Sequence, residues 1–189
     1  KRTGAILQQF VKGYSETRTK PFDGKVQKGE KRDRERTEII ERTVRESYES
    51  LAYPAPPMVH EDIAPLDVLS HILGEGDSSR LQEQLRFKKG LVTNISTYLF
   101  SPKEEGLFMI IATFKGRTFD NITKAIDGEI KRLFKNGPGA EEIEKAKNMI
   151  RASYIYGAET AQGRARQIGN YQTMANDPLY ADKYLKEAV

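Results

Sequence analysis

The chain has 189 residues, of which 38% are apolar and 31% charged, with a formal net charge of +4 and no cysteine. The lack of cysteine excludes a disulfide framework, a thiolate metal site and a cysteine nucleophile. The length allows one domain with a sizeable core or two small ones, and no run of about 18 apolar residues is present to span a membrane.

The positive charge is concentrated at the start of the chain. Residues 1–45 hold about 13 Lys and Arg against about 7 Asp and Glu. A basic arm of this kind could bind nucleic acid. However, the acids are interleaved and no aromatic platform accompanies the basic residues, so we interpret the arm as a solvated connecting segment. The start also lacks a signal peptide and an initiator Met, so we expect a piece of a longer protein.

The first quarter of the chain predicts a linker followed by strands. Apolar spacing predicts a short helix over residues 4–14, and residues 15–36 are polar and contain Pro and Gly, which is typical of a loop. We therefore predict that residues 1–36 are the tail of an interdomain linker. We predict that residues 37–189 form a single α+β domain that is truncated at its C-terminus. The runs TEIIERTV (37–44) and RESYESLAY (45–53) favour strands, the second ending at Pro54, because proline cannot continue a strand ladder.

Two helices are predicted next, over residues 62–73 and 79–89, joined by the stretch GEGDSSRL. Gly74 follows the last apolar residue of the first helix and suits a left-handed C-cap. Ser79 and Gln82 fit a capping box for the second helix. We therefore predict a structural turn formed by Gly74, Gly76, Ser79 and Arg80. The third glycine of a dinucleotide loop and the Gly-Lys-Ser/Thr of a P-loop are both missing from it.

Nucleophilic and metal chemistry find little support in the sequence. A serine nucleophile needs a histidine base, and His60 and His71, the two histidines, lie in no recognisable catalytic motif. Their spacing of eleven positions does not match the i, i+4 pair of H-E-x-x-H. We expect His71 to form a hydrogen bond with Asp67 on its own helix, and we predict no catalytic residue and no metal ligand in this chain.

The second half of the chain predicts a hairpin and then helices. LVTNISTYLF (91–100) and LFMIIATF (107–114) favour two strands, the second being a central one that is covered on both faces or lies deep in the core. Helical periodicity marks residues 118–135 and 139–157. The stretch 159–175 is rich in small residues that could permit close packing. Asp177 and Pro178 suit the start of a last helix. The elements are grouped rather than alternating, so we predict an α+β fold with an antiparallel or mixed sheet.

Four segments resemble one protein family in order and spacing. They are DVLSHILGEGDSSRLQEQLRFKKGL, EEGLFMIIATF, IDGEIKRLFKNGPGAEEIEKAKNMI and ETAQGRARQIG. Together they resemble a non-catalytic domain of the insulinase/pitrilysin-type zinc metallopeptidases, which include the mitochondrial processing peptidases. The resemblance covers roughly residues 50–185.

The resemblance implies a fold and a place in a larger enzyme. Each family domain is a sheet with helices packed on one side; two domains make a half, and two halves close over a peptide. Zinc is held in the first domain by H-x-x-E-H and a distant glutamate. This chain lacks that motif, so it is similar to the second domain of a half. The resemblance thus implies no cofactor here, zinc bound by another domain of the parent, and sister peptidase domains as partners in the same chain or a paired subunit.

The family also implies one pair of substrate-binding residues. In the half without zinc, an arginine and a tyrosine seven positions later can hold the peptide. Arg86 matches the arginine, but Thr93 stands at the position of the tyrosine. Arg86 could donate paired hydrogen bonds to a peptide carbonyl, or form an ion pair with a nearby acid. Arg80 is interpreted as a structural arginine that binds carbonyls at the turn.

Two hypotheses about function follow. The first is a non-catalytic, chamber-forming domain of a zinc metallopeptidase that degrades or processes peptides, inactive by itself because the metal-activated water is held elsewhere. The alternative is a structural or assembly protein of the same family, similar to the core subunits that have lost protease activity. We expect peptide as the substrate of the parent, no nucleic-acid partner, and a bacterial periplasmic or cytoplasmic location.

Overall fold

The computed structural model describes residues 35–116 and 118–188. The predicted helix over 4–14 and nearly all of the predicted linker lie outside these residues. The chain divides into two units, residues 1–42 and 43–189. Of the first unit, residues 35–42 are described; they are exposed and form neither helix nor strand.

The predicted strand over 37–44 is wrong. These residues form no strand, and Ile39, Ile40 and Val44 are 75%, 67% and 62% exposed. A strand requires a neighbouring strand for its backbone N–H and C=O groups. Strand β1 instead begins at Ser47, the first residue that pairs with another strand.

Three strands form one antiparallel sheet in the order β1-β3-β2. They are β1 (Ser47–Ala55), β2 (Asn94–Phe100) and β3 (Gly106–Phe114). The predicted hairpin of β2 and β3 is confirmed. The predicted end of β1 at Pro54 is wrong, because Pro54 pairs with Leu107 and an edge strand tolerates a residue without a backbone N–H.

Six helices accompany the sheet in the described residues. In chain order they are α1 (Ile63–Gly74), α2 (Gln82–Lys88), α3 (Phe119–Asn136), α4 (Ala140–Gly157), α5 (Ala161–Met174) and α6 (Tyr180–Ala188). Helix α2 is π-helical: the backbone N–H of Lys89 donates to the carbonyl of Gln84, five positions back, at 3.1 Å. The side chain of Asp177 accepts the N–H of Leu179 at 2.9 Å just before α6 begins.

The main hydrophobic core lies between the sheet and helices α1, α2 and α3. Alternate residues of β3, namely Phe108, Ile110, Ala112 and Phe114, are buried in it, as the two-residue period of a strand requires. The intervening residues of β3 are not buried. Strand β3 is therefore central and buried in the core through one face, and it is not covered on both faces. The predicted α+β fold with helices on one side of an antiparallel sheet is confirmed.

A second cluster joins α1 to the C-terminal helices. It contains Ile63 and Ala64 of α1, Ile150 of α4, and Tyr180 and Tyr184 of α6. Helix α5 borders this cluster but buries none of its own residues. A Cβ atom at Gly163 would clash with the Gly157 carbonyl, so a small residue does permit a close approach at the start of α5.

Candidate functional site

The GEGDSSRL segment joins α1 to α2, as predicted, but Gly74 is required there for a different reason. Gly74 is helical and the extended Glu75 follows it, so the predicted left-handed cap at Gly74 is wrong. A Cβ atom at Gly74 would lie 2.6 Å from the backbone N of Thr97 in β2. The glycine therefore allows α1 to pack directly on the sheet. The left-handed conformation belongs to Gly76, whose φ is +81°.

The predicted capping box at Ser79 and Gln82 is also wrong. The side chain of Gln82 donates instead to Asn94 Oδ1 at 3.0 Å and to the carbonyl of Ile95 at 2.6 Å. Ser79 is 2% exposed, and its Oγ has no hydrogen-bond partner among the described residues. Gln82 thus fixes α2 to β2, a contact that the local sequence does not predict.

Arg80 connects the joint to the beginning of α4. Its Nε and Nη2 atoms donate to the two carboxylate oxygens of Glu142 at 2.7 and 2.6 Å, and Nη2 also lies 3.3 Å from the carbonyl of Gly137. The hydrogen bond from Arg80 lowers the pKa of Glu142, helped by the backbone N–H of Gly139 and opposed by partial burial. Arg80 therefore binds a carboxylate and a carbonyl that are both distant in sequence, and neither of these partners belongs to its own turn.

Arg86 lies near the end of α2 with its side chain 37% exposed. Its Nη1 atom is 3.3 Å from Asp77 Oδ1 and 3.4 Å from Gln82 Oε1. The guanidinium carbon lies 4.9 Å from the centre of the Phe87 ring, within the range of a cation–π contact. The ion pair with an acid of the joint, one of the two roles considered for Arg86, is thus present.

Thr93 directly precedes β2 and is exposed. Its hydroxyl lies 2.9 Å from the carbonyl of Thr113 and 3.3 Å from Glu46 Oε1. The backbone N–H of Thr93 also donates to the Thr113 carbonyl at 2.7 Å. The contacts of Thr93 connect the start of β2 to the end of β3. Thr93 and Arg86, the two predicted substrate-binding residues, share no hydrogen-bond partner among the described residues.

His71 occupies a largely buried position between the carboxylate of Asp67 in α1 and that of Glu75, which directly follows α1. Its Nδ1 lies 2.9 Å from the backbone carbonyl of Asp67 and 3.6 Å from the carboxylate of the same residue, and its Nε2 lies 3.1 Å from Glu75 Oε2. The expected interaction of His71 with Asp67 is thus present. Burial raises the pKa of Glu75, with His71 opposing the shift.

Four tyrosines that were not among the predicted site residues lie beside His71 and Asp67. They are Tyr154 of α4, Tyr171 of α5, and Tyr180 and Tyr184 of α6, with ring centres 5.4 to 6.3 Å apart in successive contacts. The hydroxyl of Tyr184 donates to Asp67, and burial raises the pKa of both Tyr154 and Tyr184. The i, i+4 spacing of Tyr180 and Tyr184 is the signal that could have indicated this cluster.

Within residues 35–116 and 118–188, no group of three or more His, Asp or Glu side chains is arranged to hold a metal ion. His60 lies near Asp62 at the beginning of α1, with 3.5 Å between Nδ1 and the carboxylate. None of the helices in the same ranges has the length and hydropathy that crossing a bilayer requires.

Comparisons with known proteins identify the family. The model of the peptidase M16 inactive domain matches residues 5–150. The zinc protease PqqE of Helicobacter pylori is 30% identical over 143 residues, which cover 75% of this chain and 32% of that protein. The chain therefore spans about a third of the length of this relative.

Solved structures share the fold. A protease structure from Helicobacter pylori has a TM-score of 0.70 at 28% identity, covering 77% of this chain and 35% of that one. The structure of a peptidase M16 inactive domain from Pseudomonas fluorescens has a TM-score of 0.66 at 20% identity, covering 77% and 34%. With the match of the family model across most of the chain, these findings confirm the resemblance: the chain belongs to the peptidase M16 family and corresponds to its inactive domain.

Proposed function

We propose that this chain is a non-catalytic, chamber-forming domain of a zinc metallopeptidase that degrades or processes peptides. The observation that carries the proposal is the match of residues 5–150 to the inactive domain of the family, together with a relative that is named a zinc protease. Its partner would be a sister peptidase domain, in the same chain or in a paired subunit.

The zinc of this enzyme would be bound by that sister domain. The described side chains do not fit a zinc site, because a catalytic zinc needs three protein ligands and no such group is present in these ranges. No step of the reaction is therefore assigned to a metal on this chain.

In this proposal Arg86 would help to hold the peptide. Both hydrogen bonds that Arg86 makes to described residues, to Asp77 and to Gln82, come from its Nη1 atom. The Nε and Nη2 atoms could therefore donate to a peptide carbonyl. A guanidinium can donate two parallel hydrogen bonds, and the side chain is accessible. Thr93 would contribute less, since its hydroxyl lies against the Thr113 carbonyl and it has no aromatic ring to cover a substrate.

The experiment compares the 189-residue chain with the full-length protein from which it derives. Zinc content and hydrolysis of a fluorogenic peptide are measured on both. We expect one zinc per full-length molecule and peptide hydrolysis that a chelator abolishes, but neither in the 189-residue chain. One tightly held zinc per 189-residue chain, or hydrolysis by that chain, would contradict the proposal.

The same experiment distinguishes the peptidase domain from the alternative, a structural or assembly protein of the same family. A full-length protein without zinc and without hydrolysis would favour an assembly role.

We also propose the bacterial periplasm or cytoplasm as the compartment, because PqqE is a bacterial protein. Cell fractionation with an antibody to the chain tests this.

A further inference from the structure

The outward face of the sheet carries an unusual set of residues. From the pairing register, four residues of each of the three strands share the face opposite the buried side chains, in four cross-strand rows. At the edge of this face, Asn94 also accepts a hydrogen bond from Gln82 of α2. The rows are Tyr48–Thr113–Asn94, Ser50–Ile111–Ser96, Ala52–Met109–Tyr98 and Pro54–Leu107–Phe100. We call these twelve residues the open face.

None of the twelve residues of the open face is charged, although 31% of the chain is. At that share, about four charged residues would be expected among twelve solvent-facing positions. Instead, one end of the open face is apolar and aromatic, and the other end carries hydroxyl and amide groups. Surfaces that bind other molecules are depleted in charge and enriched in aromatic residues and Met in this way.

The open face is also accessible within the described residues. None of its twelve residues is buried, and Tyr48, Tyr98 and Phe100 are 64%, 52% and 47% exposed. The side chains that alternate with them in β2 and β3, such as Ile95 and Ile110, are buried on the helix side. Contiguous exposed apolar patches on protein surfaces are often functional binding sites.

The size of the open face indicates what kind of molecule it fits. Three strands about 4.8 Å apart and about seven residues long, at about 3.3 Å per residue, give an area on the order of 300 Å². A stable protein–protein interface needs about 800 Å² on each partner. The open face is therefore too small for a second copy of the chain or a whole domain to dock on it alone, but it matches an extended peptide of about seven residues.

We propose that the open face binds an extended, uncharged segment of a polypeptide, with its apolar side chains on Leu107, Met109 and Phe100. The hydroxyl groups of Tyr48, Ser50 and Ser96 would bind polar groups at the other end of the segment. A charged peptide side chain would lose hydration without meeting an opposite charge, so the open face discriminates against it. This proposal rests on the proposed function, which makes peptide the ligand.

The test measures binding of labelled peptides to the 189-residue chain by fluorescence anisotropy. One peptide has eight uncharged residues, alternating Leu or Tyr with Ser or Gln, with acetylated and amidated ends. Two matched peptides carry two Asp or two Lys in place of Ser. We expect the uncharged peptide to bind about tenfold tighter than either charged one, because burying an unpaired charge is costly. Equal binding of the three peptides would overturn the proposal, as would no binding.

Two variants locate the binding site. Met109→Glu places a charge in the middle of the open face, whereas Phe134→Glu places one on α3, where Phe134 is 86% exposed. We expect Met109→Glu to abolish binding of the uncharged peptide, and Met109→Leu and Phe134→Glu to preserve it, with circular dichroism confirming that each variant is folded. Unchanged binding by folded Met109→Glu would contradict the proposal.

A second copy of the chain is the other molecule that could cover the open face. Sedimentation of the wild-type chain and of Met109→Glu distinguishes it: a dimer that Met109→Glu converts to a monomer would overturn the peptide proposal. Failure of the peptide proposal leaves the proposed function open, because zinc content and hydrolysis of the full-length protein are measured independently of this face.

Discussion

The guanidinium of Arg80 is bound by both oxygens of Glu142, at 2.7 and 2.6 Å, although the two residues are 62 positions apart. Arg80 belongs to the joint between α1 and α2, and Glu142 to the first turn of α4. The Arg80 side chain is 15% exposed and that of Glu142 35%. This pair thus fixes a helix joint to a distant helix, and it is the first target for mutation.

Arg80→Lys is expected to destabilise the protein by about 1–2 kcal/mol, because lysine cannot form the two parallel hydrogen bonds of a guanidinium. Urea denaturation followed by circular dichroism measures the change in the free energy of unfolding. Arg166→Lys on the exposed side of α5 is the control and should have no measurable effect. If Arg80→Lys changes the free energy of unfolding as little as Arg166→Lys does, the Arg80–Glu142 pair does not stabilise the protein.

The stabilisation by Glu142 should depend on pH. The pKa of Glu142 is lowered in the folded state, first by the hydrogen bond from Arg80, so its contribution is present above the unfolded-state pKa of 4.5. The contribution is lost as pH falls through the folded-state pKa. The difference in stability between wild type and Glu142→Gln should therefore be largest near pH 7 and shrink below pH 4.5. A difference that is constant with pH would contradict the prediction.

Gly74→Ala should destabilise the protein, because the new Cβ atom would lie 2.6 Å from the Thr97 backbone nitrogen. Overpacking of this kind costs about 1–3 kcal/mol. The matched change Gly128→Ala in α3 meets no atom within 4 Å and should stabilise by up to about 1 kcal/mol through helix propensity. Thermal unfolding of the two variants should give shifts of opposite sign, and shifts of equal sign would refute the close approach at Gly74.

Tyr184→Phe removes the hydroxyl that donates to the Asp67 carboxylate. Because Tyr184 is 5% exposed, leaving that carboxylate without its donor should cost about 1–3 kcal/mol. Tyr156→Phe, at a residue that is 73% exposed, is the matched control and should leave the melting temperature unchanged. Similar melting temperatures for the two variants would mean that this contact does not hold α6 on α1.

Arg86→Ala tests the proposed role in substrate binding. In the active full-length protein, KM for the fluorogenic peptide should rise about tenfold, the equivalent of one charge-assisted hydrogen bond of about 1.4 kcal/mol. Lys89→Ala removes the same charge three positions further on and should leave KM unchanged. An unchanged KM for Arg86→Ala would contradict a role in substrate binding and leave Arg86 with its ion pair to Asp77.

Some local predictions succeeded because their physical cause lies within the segment. The apolar spacing of Ile122, Ile126 and Leu133 predicted α3 to within one residue at each end, since those side chains lie on one face and are buried. The hairpin of β2 and β3 was likewise predicted from two β-rich runs and a short joint. The prediction of a capping box at Ser79 was wrong because the Gln82 side chain binds β2 instead. The β2 residues that bind Gln82 lie outside the four-residue pattern, so the pattern could not predict this contact.

By itself, the sequence determined the succession of most helices and strands, the α+β class and the family, because these depend on the order and periodicity of side chains along the chain. Only the tertiary structure decided that residues 37–44 form no strand, that Gly74 is needed for contact with Thr97, and that Arg80 binds Glu142. It alone brought the twelve uncharged residues of the open face together. Those features depend on which segments meet in space, and long-range packing, rather than local spacing, determines that.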